Sequence, residues 1–222
     1  DEVVVLARST GVDLVAGSGL LQALVGTHVV IDVATAHPVT RKAAVKYFEA
    51  ATTNLLGAAG VAGVQHVVGL SIVGADTVDL PYYLGKRRQD ALIAGGSIPW
   101  TLVRATQFHD FPAQLASAIP GPVVAVPPML SAPVAAAEVG AHLAHLAHGE
   151  PQGEALPIRG PETLEMIDMT RDYLSATRSR RAVVPMPVPG GVKRAMRAGA
   201  LVPQQPCVQG TQTFAEHLAE HG

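Results

Sequence analysis

Short runs of β-branched and aliphatic residues, each closed by turn formers, punctuate the first half of the chain. They are Val3 to Leu6, His28 to Val33, His66 to Ile72 and, after the breaker stretch Gly95 to Pro99, Trp100 to Arg104. Continuous apolar runs of this length are what strands of a parallel sheet look like when helices cover both faces. Between the second and third runs, Ala44, Phe48, Ala51, Leu55 and Ala59 recur at three- or four-residue spacing and predict a helix over Arg41 to Ala59. A shorter helix is expected at Ser18 to Val25, with Ser18 as its cap. Strand and helix alternating in this way predict right-handed crossovers and a doubly wound α/β fold with a parallel sheet.

The texture changes after Phe111, where Pro112, Pro120, Pro122, Pro127, Pro128 and Pro133 break the pattern before an Ala-rich helix at Ala135 to Ala147. A short strand at Ala155 to Ile158 and a helix at Leu164 to Thr177 follow. Beyond them lie a Pro/Gly-rich stretch, Val183 to Gly191, a basic segment, Lys193 to Arg197, and an amphipathic end, Phe214 to Leu218. The expected organisation is a core over residues 1–110 and a smaller lobe over 111–222 that shapes a substrate pocket.

Charge and composition narrow the function classes. A formal charge of −2, from 16 basic and 18 acidic residues, gives no global positive field, so a nucleic-acid partner is not expected. The single cysteine, Cys207, rules out an intramolecular disulfide and fits a reducing, cytoplasmic setting. Every apolar run is cut by Gly, Pro, Asp or His well before the roughly 20 residues a spanning helix needs, so no membrane segment is expected. Residues Asp1 to Leu6 lack the basic start and small-residue cleavage site of a signal peptide.

Candidate chemistry gathers at strand ends, where ligands sit in open α/β sheets. Arg8 follows the first run, where its planar fork would suit a ribose 2′-phosphate and so favour NADP over NAD; the other reading is a surface arginine at a strand end. Ala34 and Thr35, just past the His28 to Val33 run, are small enough to let a flat cofactor approach the backbone, or are ordinary loop residues. Ser71 closes the third run, and Tyr82 and Lys86 follow in a Y-x-x-x-K spacing that puts phenol and ammonium on one helix face. A neighbouring cation would lower the phenol's pKa from its usual value near ~10, making Tyr82 a usable proton donor to a carbonyl oxygen that Ser71 also binds. His142, His145 and His148 recur every three residues, but a polar stripe on an Ala-rich helix explains them better than a metal site, as no cysteine or carboxylate cluster accompanies them. His109, beside Asp110, is the better histidine for contact with substrate.

The run Asn54 to Gly74, then Tyr82 to Lys86, then Pro99 to Phe111, with Pro133 to Gly140 and Gly160 to Glu162 after them, resembles the NmrA-like, atypical branch of the short-chain dehydrogenase/reductase superfamily. The resemblance implies a Rossmann-type sheet, a nicotinamide cofactor and a smaller C-terminal lobe for a small-molecule substrate. It implies that Arg8 and Ser9 meet the adenosine end, that Asp13 and Leu14 flank the adenine, and that Ala34 and Thr35 line the cofactor. It also implies that Ser71 and Lys86 reach the nicotinamide side and that Thr106, Gln107 and Phe108 border nicotinamide and substrate. The activity it implies is reduction of a carbonyl, enone or quinone; because the branch includes non-catalytic sensors, dinucleotide sensing is the alternative. One family feature departs. The G-x-x-G-x-x-G turn that grips the pyrophosphate does not occur, and Gly17-Ser18-Gly19 follows the wrong strand, so an upstream βα unit is expected to precede Asp1 and the chain alone to bind NADP poorly.

Overall fold

The Ala44 to Ala59 stripe folds as its spacing predicts. In the computed structural model, which describes residues 2–36, 40–118, 120–204 and 206–221, all five of those side chains are buried on one helix. That helix, Arg41–Ala62, starts where the Thr40 hydroxyl accepts the Ala43 amide and stops at Gly63, whose φ of 78° lies in the left-handed region.

Two compact units interleave along the chain, the first made of Asp1–Ser71, Asp79–Val103 and Leu143–Ala155. Chain order brings α1 (Leu20–Ala23), β1 (Val29–Asp32), α2 (Arg41–Ala62), β2 (His66–Ile72), α3 (Pro81–Ala94) and β3 (Trp100–Ala105). β1 pairs in parallel with β2, from Val29 opposite His66 to Asp32 opposite Gly69. A core of Val12, Leu20, Val30, Leu55, Val67 and Leu102, among others, joins sheet to helices in this unit. α3 lies close on α2 because position 85 is glycine: a Cβ there would collide with the Phe48 ring and lie 3.1 Å from the Ala44 carbonyl oxygen.

The second unit holds Ile72–Val78, Arg104–His142 and Leu156–Gly222. Its elements are α4 (Phe111–Ala118), β4 (Val123–Val126) and β5 (Leu130–Ser131); α5 (Ala136–His148) and β6 (Gly153–Glu154) come next in the chain, β6 pairing with β3 in the first unit. β7 (Ile158–Arg159), β8 (Leu164–Glu165), α6 (Met166–Ala176), β9 (Ala182–Pro185), α7 (Gly190–Arg197), β10 (Val208–Gln209) and α8 (Phe214–His221) complete it. β4 and β9 pair in parallel, Val123 opposite Ala182 and Val126 opposite Pro185, while β5 and β8 pair antiparallel. The parallel central sheet runs β1-β2-β3-β7-β10.

Several local expectations are corrected. Val3 to Leu6 is not a strand: no described strand pairs with it, Val3, Val4 and Val5 are exposed, and the chain turns through a 3-10 turn at Arg8–Thr10. A strand is made by ladder hydrogen bonds, which β-branched composition alone does not supply. Ser18 does not cap α1. Gly19 does, at a left-handed φ of 77°, with its α-carbon so close to Gly11 that an added Cβ would stand 2.7 Å from the carbonyl oxygen. The helix expected from Leu164 starts at Met166, and the Pro/Gly-rich stretch contains β9 and opens α7. No described helix is long and apolar enough to cross a membrane.

Candidate functional site at the end of β1

Beyond the carboxyl end of β1, Ala34, Thr35 and Ala36 line an open pocket of about 370 Å³. Leu6 to Arg8, Val12 to Val15 and Tyr47 of α2 complete the lining. Arg8, Asp13, Leu14, Ala34 and Thr35, named above from strand ends or family likeness, thus share one cavity. Ser9 is exposed on the Arg8–Thr10 turn, outside the pocket lining. The Arg8 side chain is 75% exposed, with its Nε 3.3 Å from Asp13 Oδ2. Asp13 Oδ1 accepts the amides of Ala16 (3.0 Å) and Val15 (2.8 Å), and these bonds, helped by Arg8, hold its carboxyl below the usual value. Arg8 is thus ion-paired to Asp13 while its side chain stays largely exposed at the pocket.

At the pocket wall the Thr35 hydroxyl lies 2.9 Å from the Tyr82 hydroxyl, and Tyr47 Oη donates to the Thr35 carbonyl oxygen at 3.1 Å. Burial pushes the Tyr82 phenol up, only partly offset by the Thr35 hydrogen bond, and Tyr47 and Asp32 push it the same way. This corrects the expectation that a neighbouring Lys86 lowers it. Lys86 is buried, 3% exposed, and its Nζ donates to the Leu70 carbonyl oxygen at 2.5 Å and to Gln89 Oε1. Gln89 Nε2 in turn donates to Asp32 Oδ2 at 2.6 Å, and Asp32 Oδ1 accepts the Ala34 amide at 3.0 Å. Burial pulls the Lys86 ammonium below its ordinary pKa, against the opposing pull of Asp32 and Asp90.

Ser71 is also buried and donates to Asp90 Oδ2 at 2.7 Å, not to Tyr82. In the second unit the Thr106 hydroxyl donates to the Ala132 carbonyl oxygen, and Gln107 Oε1 accepts from Ser131 at 2.8 Å. Phe108 bridges to Val134. His109 is buried, its Nε2 donating to the Pro133 carbonyl oxygen at 3.0 Å and its ring 5.0 Å from that of His217. Among the described residues no group of three or more His, Cys, Asp or Glu comes together as a metal site.

Tyr47, Phe48, Asp32 and Gln89 were not singled out as site residues from the sequence. Three of them carried a signal: Asp32 is an acid inside an apolar strand, Gln89 stands one helical turn after Lys86, and Tyr47 adjoins the buried stripe of α2.

No family model matches the chain, and no curated protein matches it by sequence. Solved structures do. The dTDP-glucose 4,6-dehydratase DesIV of Streptomyces venezuelae, with NAD bound, aligns at 18% identity over 93% of this chain and 76% of that one, with a TM-score of 0.67. The NADPH-dependent quinone oxidoreductase QOR2 of Escherichia coli aligns at 16% identity over 96% and 84%, with a TM-score of 0.66. The triphenylmethane reductase of Citrobacter sp., complexed with NADP(H), aligns at 20% identity over 96% and 73%, with a TM-score of 0.55. This chain spans 76% of the DesIV chain, 84% of the QOR2 chain and 73% of the triphenylmethane reductase chain, and as little as 61% of another solved chain it resembles. At such identities the likeness shows the fold, a Rossmann-type α/β fold.

Proposed function

We propose that this chain is an NAD(P)(H)-dependent oxidoreductase of the atypical short-chain dehydrogenase/reductase kind, in its NmrA-like branch, that reduces a small carbonyl, enone or quinone and prefers NADP. The observation that carries this reading is a pocket that gathers Arg8, Asp13, Leu14, Ala34 and Thr35 at the carboxyl end of a parallel strand. The residues fit the adenosine end of a dinucleotide. Small side chains at 34 to 36 leave the backbone open to a flat ligand, and an exposed guanidinium offers planar donors to a phosphate. The names of the solved neighbours support it, since QOR2 is an NADPH-dependent quinone oxidoreductase and the triphenylmethane reductase was complexed with NADP(H).

A bound nicotinamide would supply hydride. The chain would supply a binding cleft and a proton held on Tyr82, one hydrogen bond from the pocket wall. The inward turn of Lys86 favours the alternative, a dinucleotide sensor that binds without turnover. Calorimetric titration with adenosine 2′,5′-bisphosphate and with AMP tests the pocket without calling on a pyrophosphate turn; preference for the bisphosphate is expected, and no binding of either overturns the reading. NADPH oxidation with a panel of quinones and aldehydes separates enzyme from sensor.

A further inference from the structure

We infer that Thr35 is a positioning residue that holds the proton of Tyr82 and connects that phenol to solvent; this rests on the reading above for its use in reduction, and on the hydroxyl geometry for its existence. Tyr82 is largely enclosed, ringed by Phe48 at 5.6 Å and Tyr83 at 6.5 Å between centroids. Among the described residues its hydroxyl is hydrogen-bonded to the Thr35 hydroxyl at 2.9 Å. Thr35 itself is exposed and lines the open pocket. Its backbone is fixed from both sides, by Tyr47 Oη on its carbonyl and by Asp32 Oδ1 on the amide before it. A hydroxyl held between a half-buried phenol and open water is a one-step proton conduit.

The proton count closes without any change of oxidation state. One proton leaves Tyr82 Oη for an acceptor oxygen, the Thr35 Oγ1 proton moves onto Oη, and solvent in the pocket returns one proton to Oγ1. Lys86, placed by sequence spacing to serve Tyr82, is spent on Leu70 and Gln89, so the phenol draws on Thr35 instead. The charged or titratable groups that act on the phenol are Asp32 at the end of β1 and Tyr47 on α2, both of which oppose its ionisation.

The test compares Thr35→Val, which keeps the shape and removes the hydroxyl, with Thr35→Ser, which restores it. Carbon-13 NMR of ζ-labelled tyrosine, with the Tyr82 signal assigned through Tyr82→Phe, reads the phenol's titration directly. Thr35→Val is expected to move the Tyr82 midpoint upward by roughly half a pH unit or more, and Thr35→Ser to return it. An unmoved midpoint in Thr35→Val overturns the inference whatever the protein catalyses. With NADPH and a quinone, Thr35→Val should lower kcat by about tenfold at unchanged KM for NADPH, and equal kcat beside a dead Tyr82→Phe also overturns it. A shifted midpoint in a protein that binds no adenosine bisphosphate would sustain the hydroxyl contact and reject the cofactor reading alone.

Discussion

The ammonium of Lys86 stands over the face of the Phe48 ring, 5.3 Å from its centroid, while the Tyr82 ring meets that same phenylalanine edge-on at 5.6 Å. Phe48 thus contacts both members of a pair that sequence spacing would put in contact with each other. The lysine is left with a carbonyl, an amide oxygen and an aromatic face around it, and little water.

That burial has a pH signature. Because the folded-state pKa of Lys86 lies below the unfolded value near 10.5, the unfolded chain binds the extra proton between the two, and stability contributed at this site rises with pH across that window. Urea unfolding of wild type and Lys86→Met at pH 7, 8, 9 and 10 isolates it. Wild type is expected to gain on the variant as pH climbs; a constant difference would show that Lys86 is not held in a depressed state.

Position 85 controls how near α3 approaches α2. Gly85→Ala should cost about 1–3 kcal/mol, as overpacking against a ring and a carbonyl does. Gly57 and Gly60, on the same α2 but with open space around them, make the contrast: alanine at either should stabilise by roughly 0.5–1 kcal/mol. Thermal melts of the three variants should rank them in that order.

Arg8 is the pocket's exposed guanidinium. On the proposed reading, loss of a charged bidentate contact to a 2′-phosphate costs on the order of 1.5–3 kcal/mol, so Arg8→Ala should weaken binding of adenosine 2′,5′-bisphosphate about tenfold or more and leave AMP nearly unchanged. Equal losses for the two nucleotides, measured by calorimetry, would remove Arg8 from the choice between NADP and NAD.

In the second unit, Glu138 Oε1 accepts the Thr211 amide at 2.6 Å, the Thr211 hydroxyl at 2.9 Å and the Gln212 amide at 3.2 Å. Burial raises its carboxyl, but these bonds together outweigh it and leave the pKa below the ordinary 4.5. Stability from this clamp is therefore present above that value and lost as pH falls through the lowered folded pKa. Glu138→Gln should be less stable than wild type by on the order of 1 kcal/mol at pH 7, with the gap closing toward pH 3 in urea titrations.

Elements whose partners are near in sequence, or whose pattern is long, were legible. The α2 stripe and the β1 and β2 runs emerge from periodicity because burial repeats along them. β9 was not, since Pro185, Pro187 and Pro189 mask a strand that exists only because β4 pairs with it. Ala34 and Thr35 follow from the end of β1, whereas Arg8 was reached through a strand that does not form, Asp13 and Leu14 came from the family likeness, and the direction of Lys86 was not legible. An i, i+4 spacing says that two side chains share a helix face; that Lys86 turns inward goes with Gly85, which lets α3 lie close on α2, and with Phe48 on that other helix, neither of which the spacing contains.

The β4 and β9 pairing also sets a timetable for the nascent chain. Val123 pairs with Ala182, 59 positions on, so at about 5–20 residues/s the ribosome delivers the partner strand roughly 3–12 s after β4 has been made. Through that interval Val123–Val126 has its ladder donors and acceptors open and its valines unpacked, and closure of so long a loop follows the entropy of its length. For as long, this valine-rich stretch is open to a holding chaperone during synthesis.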